Sequence, residues 1–289
     1  VGSLPFFVSN SLDLLHLCSM TETASKVVLV TGASSGIGKA IANFLQSKNY
    51  TVFGTSRNPS GRDSAFPLVA LDVTKPETIT AAVAEVIASA GKIDVLINNA
   101  GVGITGPIEE TPDEEIKKAF DTNYFGPINV IKAVLPQMRK NNSGLIINVT
   151  SIAGYMGLPY RGIYSASKGA LEITTEAFRM ELKDSNIKMA NIAPGDFATN
   201  IAAGRYHAPV IAGSPYEKPY GNTLKIMNEH VDQGKDPNMM AKVIYSILQE
   251  KDPKIHYKVG EPLQKFSIAL KRILPDKLYE RLLLKHYKL

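Results

Sequence analysis

Tyr164 and Lys168 stand four residues apart in Tyr-Ser-Ala-Ser-Lys, a spacing that puts both on one helix face and lets them act as a single acid/base unit. A free tyrosine titrates near ~10 and shuttles protons poorly at neutral pH, whereas a neighbouring ammonium favours the phenolate and lowers that value. Such a pair suits carbonyl reduction, in which a proton must reach oxygen while a hydride reaches carbon. Taken alone, Tyr-x-x-x-Lys is an ordinary surface pattern, so its surroundings decide its meaning. Leu145-Ile-Ile-Asn-Val-Thr-Ser151 reads as a strand ending on a hydroxyl, and the carboxyl edge of an α/β sheet is where ligands bind. Ser151 is assigned to polarising the substrate oxygen.

A second constellation lies near the start of the chain. Thr31-Gly-Ala-Ser-Ser-Gly-Ile-Gly38 follows an apolar run and precedes the helical pattern Ala40, Ile41, Phe44, Leu45, the strand, glycine turn, helix order of a dinucleotide site. Gly32 permits the tight turn, Gly36 lets the backbone approach a pyrophosphate and Gly38 allows close packing of helix on strand. Ser34, Ser35 and Ile37, between these glycines, are taken with them as cofactor contacts. Dinucleotide folds that prefer NAD carry an acidic residue at the end of the second strand. Here that strand ends Gly54-Thr-Ser-Arg57, and the guanidinium of Arg57 offers a planar fork for a 2′-phosphate, so NADP (NADPH) is the expected cofactor.

These groups need a frame. Val27–Thr31, Thr51–Thr55, Pro67–Leu71, Ile93–Ile97, Leu145–Val149, Lys188–Ile192 and Ile255–Val259 read as strands separated by amphipathic segments. Val- and Ile-rich runs without polar alternation suit strands buried on both faces. The expected architecture is therefore α/β, a single doubly wound domain with a seven-stranded parallel sheet and helices on both faces. Asp113–Arg139 reads as one helical run containing Asn123, and Ile163–Lys183 as another. The Gly- and Pro-bearing stretch 197–234 is expected to form a lid, with Phe197, Ile201, Tyr206, Val210, Ile211 and Tyr216 available to an apolar substrate or to lid packing.

With 289 residues, 44% hydrophobic and 20% charged, the composition is that of an ordinary globular protein. No stretch is apolar enough to span a bilayer. One cysteine, Cys18, excludes an intrachain disulfide, and no Cys/His cluster has metal-ligand spacing, so no metal is expected and a reducing, cytoplasmic setting fits. The net charge of +5 sits at one end: residues 265–289 hold seven Lys/Arg against Asp276 and Glu280. A balanced remainder argues against a nucleic-acid partner. Phe266, Leu270, Ile273, Leu274, Leu278 and Leu282 make residues 261–289 a basic, amphipathic helical tail, which Pro275 should divide in two. Packing of this tail on the domain or a sister subunit is the first expectation, and peripheral membrane contact the second. Residues 1–19 read as a poorly ordered leader ahead of a catalytic domain at 20–260, with Met20 a better start.

Six separated motifs, Thr31–Gly38, Asn98-Asn-Ala-Gly101, Asn123, Ser151, Tyr164/Lys168 and Pro194-Gly195 with Thr199, together resemble the short-chain dehydrogenase/reductase family over roughly Lys26–Gly260. The resemblance implies a Rossmann-like domain and a catalytic tetrad on Asn123, Ser151, Tyr164 and Lys168. In that pattern Lys168 binds the nicotinamide ribose and Asn123 holds a water in a proton relay. Asp72 and Val73 flank the adenine, while Asn98, Asn99, Ala100 and Gly101 border the ribose side. Pro194 and Gly195 shape the nicotinamide floor, with Thr199 on the carboxamide or phosphates. Gly154-Tyr-Met-Gly-Leu-Pro-Tyr160 ahead of Tyr164 resembles the hydroxysteroid and retinol dehydrogenase branch. The family pattern also implies a homodimer or homotetramer built on the two long helical runs.

The function expected from the residues is thus an NADP-dependent oxidoreductase interconverting a carbonyl and an alcohol on an apolar small molecule. A cofactor-sensing protein without turnover is the alternative, but it would be expected to show a damaged Tyr/Lys pair. A sugar-nucleotide epimerase would favour Gly-x-x-Gly-x-x-Gly and a larger C-terminal domain, and neither feature is present.

Overall fold

The computed structural model describes residues 25–197, 204–232 and 235–289, with Gly2. The leader proposed over 1–19, the start at Met20, Thr199 and Ile201 lie outside the described residues, Gly2 excepted. In chain order the elements are β1 Val27–Val30, α1 Gly36–Gln46, β2 Thr51–Ser56, β3 Leu68–Ala70, α2 Pro76–Ala90, β4 Val95–Asn98, β5 Ile104–Thr105, α3 Asp113–Phe120, α4 Gly126–Lys140, β6 Gly144–Val149, α5 Gly162–Glu181, β7 Ile187–Pro194, β8 Tyr206–His207, α6 Glu217–Asp232, α7 Asn238–Gln249, β9 His256–Val259, α8 Pro262–Ile273 and α9 Asp276–His286.

Seven strands form one sheet in the order β3-β2-β1-β4-β6-β7-β9, every neighbouring pair parallel. The chain winds outward from β1 in one direction and from β4 in the other, which opens a crevice at the carboxyl ends of these two strands. All four residues of β1 and of β4 are buried, because helices cover both faces. On one face Ile37, Ile41 and Leu45 of α1 pack with Met240, Ile244 and Ile247 of α7. On the other, Ile79, Val83 and Val86 of α2 meet Val130, Val134 and Met138 of α4.

Three features differ from the sequence reading. The run Asp113–Arg139 is not one helix: α3 and α4 are joined by a π-helical turn at Asp121–Phe125, which widens the backbone where Asn123 must turn inward. A second, two-stranded parallel sheet pairs β5 with β8, and strands of two residues are too short for periodicity to reveal. The lid stretch contains β8 and the sixteen-residue α6, so much of it is regular structure.

The C-terminal tail is two helices meeting at Pro275, whose fixed φ starts α9. Ile268 and Tyr279 are buried against Ile152, Met156 and Ala193, with Leu270, Leu274 and Leu283 beside them. Leu263, Phe266 and Ile273 stay exposed. Among the described residues, no helix is long and apolar enough to cross a membrane.

Candidate active site

The glycine turn is held from below by Thr31 and Asn99. Thr31 is buried, and its Oγ1 accepts from the backbone N–H groups of Asn99 and Ala100 at 2.9 and 3.0 Å. The Asn99 side-chain amide donates to the carbonyls of Thr31 and Gly32 at 3.0 and 3.1 Å. Gly32 adopts φ +66°, open to glycine at little cost. A Cβ on Gly38 would collide with the Gly32 carbonyl and the Asn99 amide, so the constraint on Gly38 comes from the turn itself. The N-terminus of α1 has no side-chain cap, which leaves first-turn N–H groups free for an anion.

From this turn runs a cleft of about 1000 Å³, lined among others by Gly32, Ser34, Ser35, Gly36, Ile37, Arg57, Asp72, Val73, Asn99, Ala100 and Gly101. Arg62, which the sequence reading did not single out, lines the same cleft, its Nε donating to the carbonyl of Asn58 at 2.8 Å. Partial burial acts to raise the Asp72 carboxyl. Hydrogen bonds from Thr74 and the charges of Arg57 and Lys75 outweigh it and hold Asp72 below the usual carboxylate range. The glycine cradle and the uncapped helix fit the pyrophosphate of a nicotinamide dinucleotide. Asn98, by contrast, is turned into the sheet, where its amide donates to Asn148 Oδ1 at 2.9 Å. Asn98 therefore does not line the cleft, against the ribose-side position read for it, whereas Asn99, Ala100 and Gly101 do.

Behind Gly101, which lines the cleft, the structure brings Asn123 and Lys168 together. Tyr164 and Lys168 sit one turn apart on α5. Lys168 is buried, and its Nζ donates to the carbonyl of Val149, the last residue of β6, at 3.0 Å. Burial pushes its ammonium down to about 8, against the pull of Glu172 one turn further on. A methyl placed on Gly101 would lie 3.1 Å from Asn123 Oδ1 and 3.2 Å from Lys168 Nζ, so these two groups face one point on the cleft wall. Asn123 is completely buried; its Oδ1 accepts from Val102 N and its Nδ2 donates to Val102 O, both at 2.9 Å. These bonds tie the π-turn to the segment leaving β4.

Ser151 follows β6 and caps the 3-10 turn Ile152–Tyr155, its Oγ accepting from Ala153 N at 3.2 Å and keeping a proton to donate. The Arg161 guanidinium lies 5.3 Å from the Tyr164 ring centroid, within cation–π range. Tyr160 has φ +57°, a region an L side chain rarely adopts and one found at functional sites. Its ring packs 5.2 Å from Tyr220 of α6. Pro194 ends β7, and Gly195 faces Gln264 of α8, whose Oε1 a Cβ there would strike. Gln264 also donates to Asp196 Oδ2 at 2.7 Å, and the Tyr287 hydroxyl, just past α9, feels the charge of Arg161. The tail thus reaches the start of α5, which spacing alone did not reveal. Glu172 also escaped the sequence reading, although the i, i+4 series Tyr164, Lys168, Glu172, Glu176 signals it.

Comparison with known proteins agrees with this geometry. The family model described as short chain dehydrogenase matches residues 26–209. A 3-ketodihydrosphingosine reductase of Bacteroides thetaiotaomicron is 39% identical over 88% of this chain and 95% of its own length. Among solved structures, a short-chain dehydrogenase from Streptomyces avermitilis superposes with a TM-score of 0.76 at 31% identity, covering 91% of this chain and 96% of that one. An alcohol dehydrogenase from Thermococcus sibiricus, complexed with 5-hydroxy-NADP, gives a TM-score of 0.65 at 25% identity over 82% of this chain and 96% of that one.

Proposed function

We infer that this chain, which belongs to the short-chain dehydrogenase family, is an NADP-dependent oxidoreductase that interconverts a carbonyl and an alcohol on an apolar small molecule. The observation that carries the reading is the buried Lys168 ammonium, one helical turn from Tyr164 and beside Gly101 on the cleft wall. Arg57 and Arg62, with no carboxylate at the end of β2, support NADP over NAD. The name of the Bacteroides relative supports a long-chain ketone as the substrate class.

When bound, the nicotinamide nucleotide supplies the hydride. Everything else is the work of this chain. Ser151 donates to the carbonyl oxygen and polarises it. The Tyr164 hydroxyl gives that oxygen its proton, and Lys168 stabilises the phenolate left behind. Asn123, locked by Val102, shapes the wall on which Lys168 sits. In the oxidative direction the same groups take the proton back.

The test is cofactor oxidation across a panel of ketones that includes 3-ketodihydrosphingosine, run with NADPH and with NADH. NADPH turnover on a long-chain ketone, at least tenfold more efficient than with NADH, is the expected result. Tyr164→Phe should keep NADP affinity and lose turnover by roughly a hundredfold or more, the scale of general-acid catalysis. A silent panel with NADP demonstrably bound overturns the reading.

A further inference from the structure

Behind Lys168, away from the cleft, lies a polar cluster that the reaction as described does not use. Its centre is Glu172, nearly inaccessible to solvent at 4% exposure. A carboxylate so placed is stable only when its lone pairs are filled, and here four elements fill them. Thr150, between Val149 and Ser151, donates its hydroxyl to Glu172 Oε1. Tyr155 donates to Oε2 at 3.0 Å from the 3-10 turn, and Asn191 donates to Oε2 at 2.9 Å from β7. His256 Nδ1 of β9 lies 2.8 Å from the same oxygen.

His256 makes the cluster more than a clamp. Its second nitrogen, Nε2, faces Glu176 Oε1 at 3.0 Å. An imidazole with a carboxylate at each nitrogen satisfies both only as the doubly protonated cation. Accordingly, hydrogen bonding to Glu172 leads the influences that hold His256 above its ordinary value, against its partial burial. Lys258 lies 5.1 Å over the Tyr155 ring. Arg272 of α8 acts on Tyr155 and Lys258, and Lys258 also feels Glu172. Glu172 is the charged group that acts on Lys168.

We propose that Glu172 is a positioning residue for hydride transfer: it ties the helix of Tyr164 and Lys168 to the strand end of Ser151, and its negative charge, balanced by His256, keeps the Lys168 ammonium charged. The inference rests on the reading of Tyr164 and Lys168 as the proton-delivery pair. It makes two substitutions at one cluster act in opposite directions. Glu172→Gln removes the charge that favours the Lys168 ammonium, so ketone reduction is lost at lower pH than in the parent. His256→Gln leaves the carboxylate without its cation, so the alkaline limb moves to higher pH. A role in packing alone moves neither limb, whatever it does to stability.

The experiment measures kcat/KM for NADPH-dependent ketone reduction across pH in the full chain, in Glu172→Gln, in His256→Gln and in Tyr164→Phe. Opposite displacements of the alkaline limb, each on the order of one pH unit, with NADP affinity unchanged, are expected. If Glu172→Gln does not fold, the upward shift in His256→Gln carries the test alone. A limb that stays in place in every folded variant, with Tyr164→Phe inactive, overturns the role of Glu172 and leaves the catalytic reading standing. Full activity in Tyr164→Phe overturns both.

Discussion

Burying an ammonium opposes folding, and Lys168 is buried with its proton affinity pushed down to about 8 from 10.5. A shift of that size costs about 3 kcal/mol at neutral pH. The cost is present below the folded value and disappears as pH rises towards the unfolded value, because there the unfolded chain also loses the proton. Lys168→Met is therefore expected to raise Tm by roughly 5 °C at pH 7 while abolishing turnover. The gain should shrink between pH 8 and 10.5. A Tm that falls with the substitution contradicts this account. Arg57 tests specificity at the same scale. Its exposed guanidinium lines the cleft at the end of β2, where Ser56 and Asn58 flank it and the strand carries no carboxylate, so Arg57→Ala should raise KM for NADPH roughly tenfold, on the order of one charge-assisted contact, and leave KM for NADH almost unchanged. Equal effects on both cofactors refute the assignment.

Among the elements, α8 and α9 have the clearest consequence. They bury Ile268 and Tyr279 on the turn that follows Ser151, Tyr279 donates to Met156 Sδ at 2.8 Å, and Gln264 sits against Gly195. Two side chains of this kind stabilise by about 1.5–3 kcal/mol each. A chain ending at Gly260 is expected to melt on the order of 10 °C lower. It should also lose kcat, because the support of Ser151 and of the Pro194-Gly195 segment goes with the tail. An unchanged melting curve and unchanged turnover would mean that the tail serves some other purpose. The π-turn shows why an element can defeat sequence reading. Asp113–Arg139 has helical periodicity throughout, and one extra residue in the turn does not alter it enough to be seen. The wider turn aims Asn123 at Val102.

At the scale of the whole molecule, what α5 leaves uncovered matters. Ile173 and Met180, seven residues apart and thus on one face, are 69% and 68% exposed, and Phe125, in the π-turn that contacts α5, is half exposed. Apolar groups aligned on one helix face mark an interaction surface, and this is one of the helices on which a homo-oligomer was expected. Ile173→Glu with Met180→Glu is expected to convert a dimer or tetramer into monomers in sedimentation or light scattering, with the cofactor cleft intact. Assemblies of unchanged mass would place the interface elsewhere.

Sequence alone determined the groups whose meaning is local: the glycine turn, the Tyr164–Lys168 spacing, the strand end at Ser151 and the seven strands of the parallel sheet. These patterns are periodic or contiguous, so they can be seen without contacts. Tertiary structure decided what depends on residues far apart in the chain. Asn98 and Asn99 are adjacent and chemically identical, yet one is buried against Asn148 and the other braces the glycine turn, because successive residues at a strand end point to opposite sides. Glu172 reads as one more charge on an amphipathic helix until β9 brings His256 against it across eighty-four residues. Burial of Glu172 then turns a surface-type charge into one that its part-exposed partner His256 must balance.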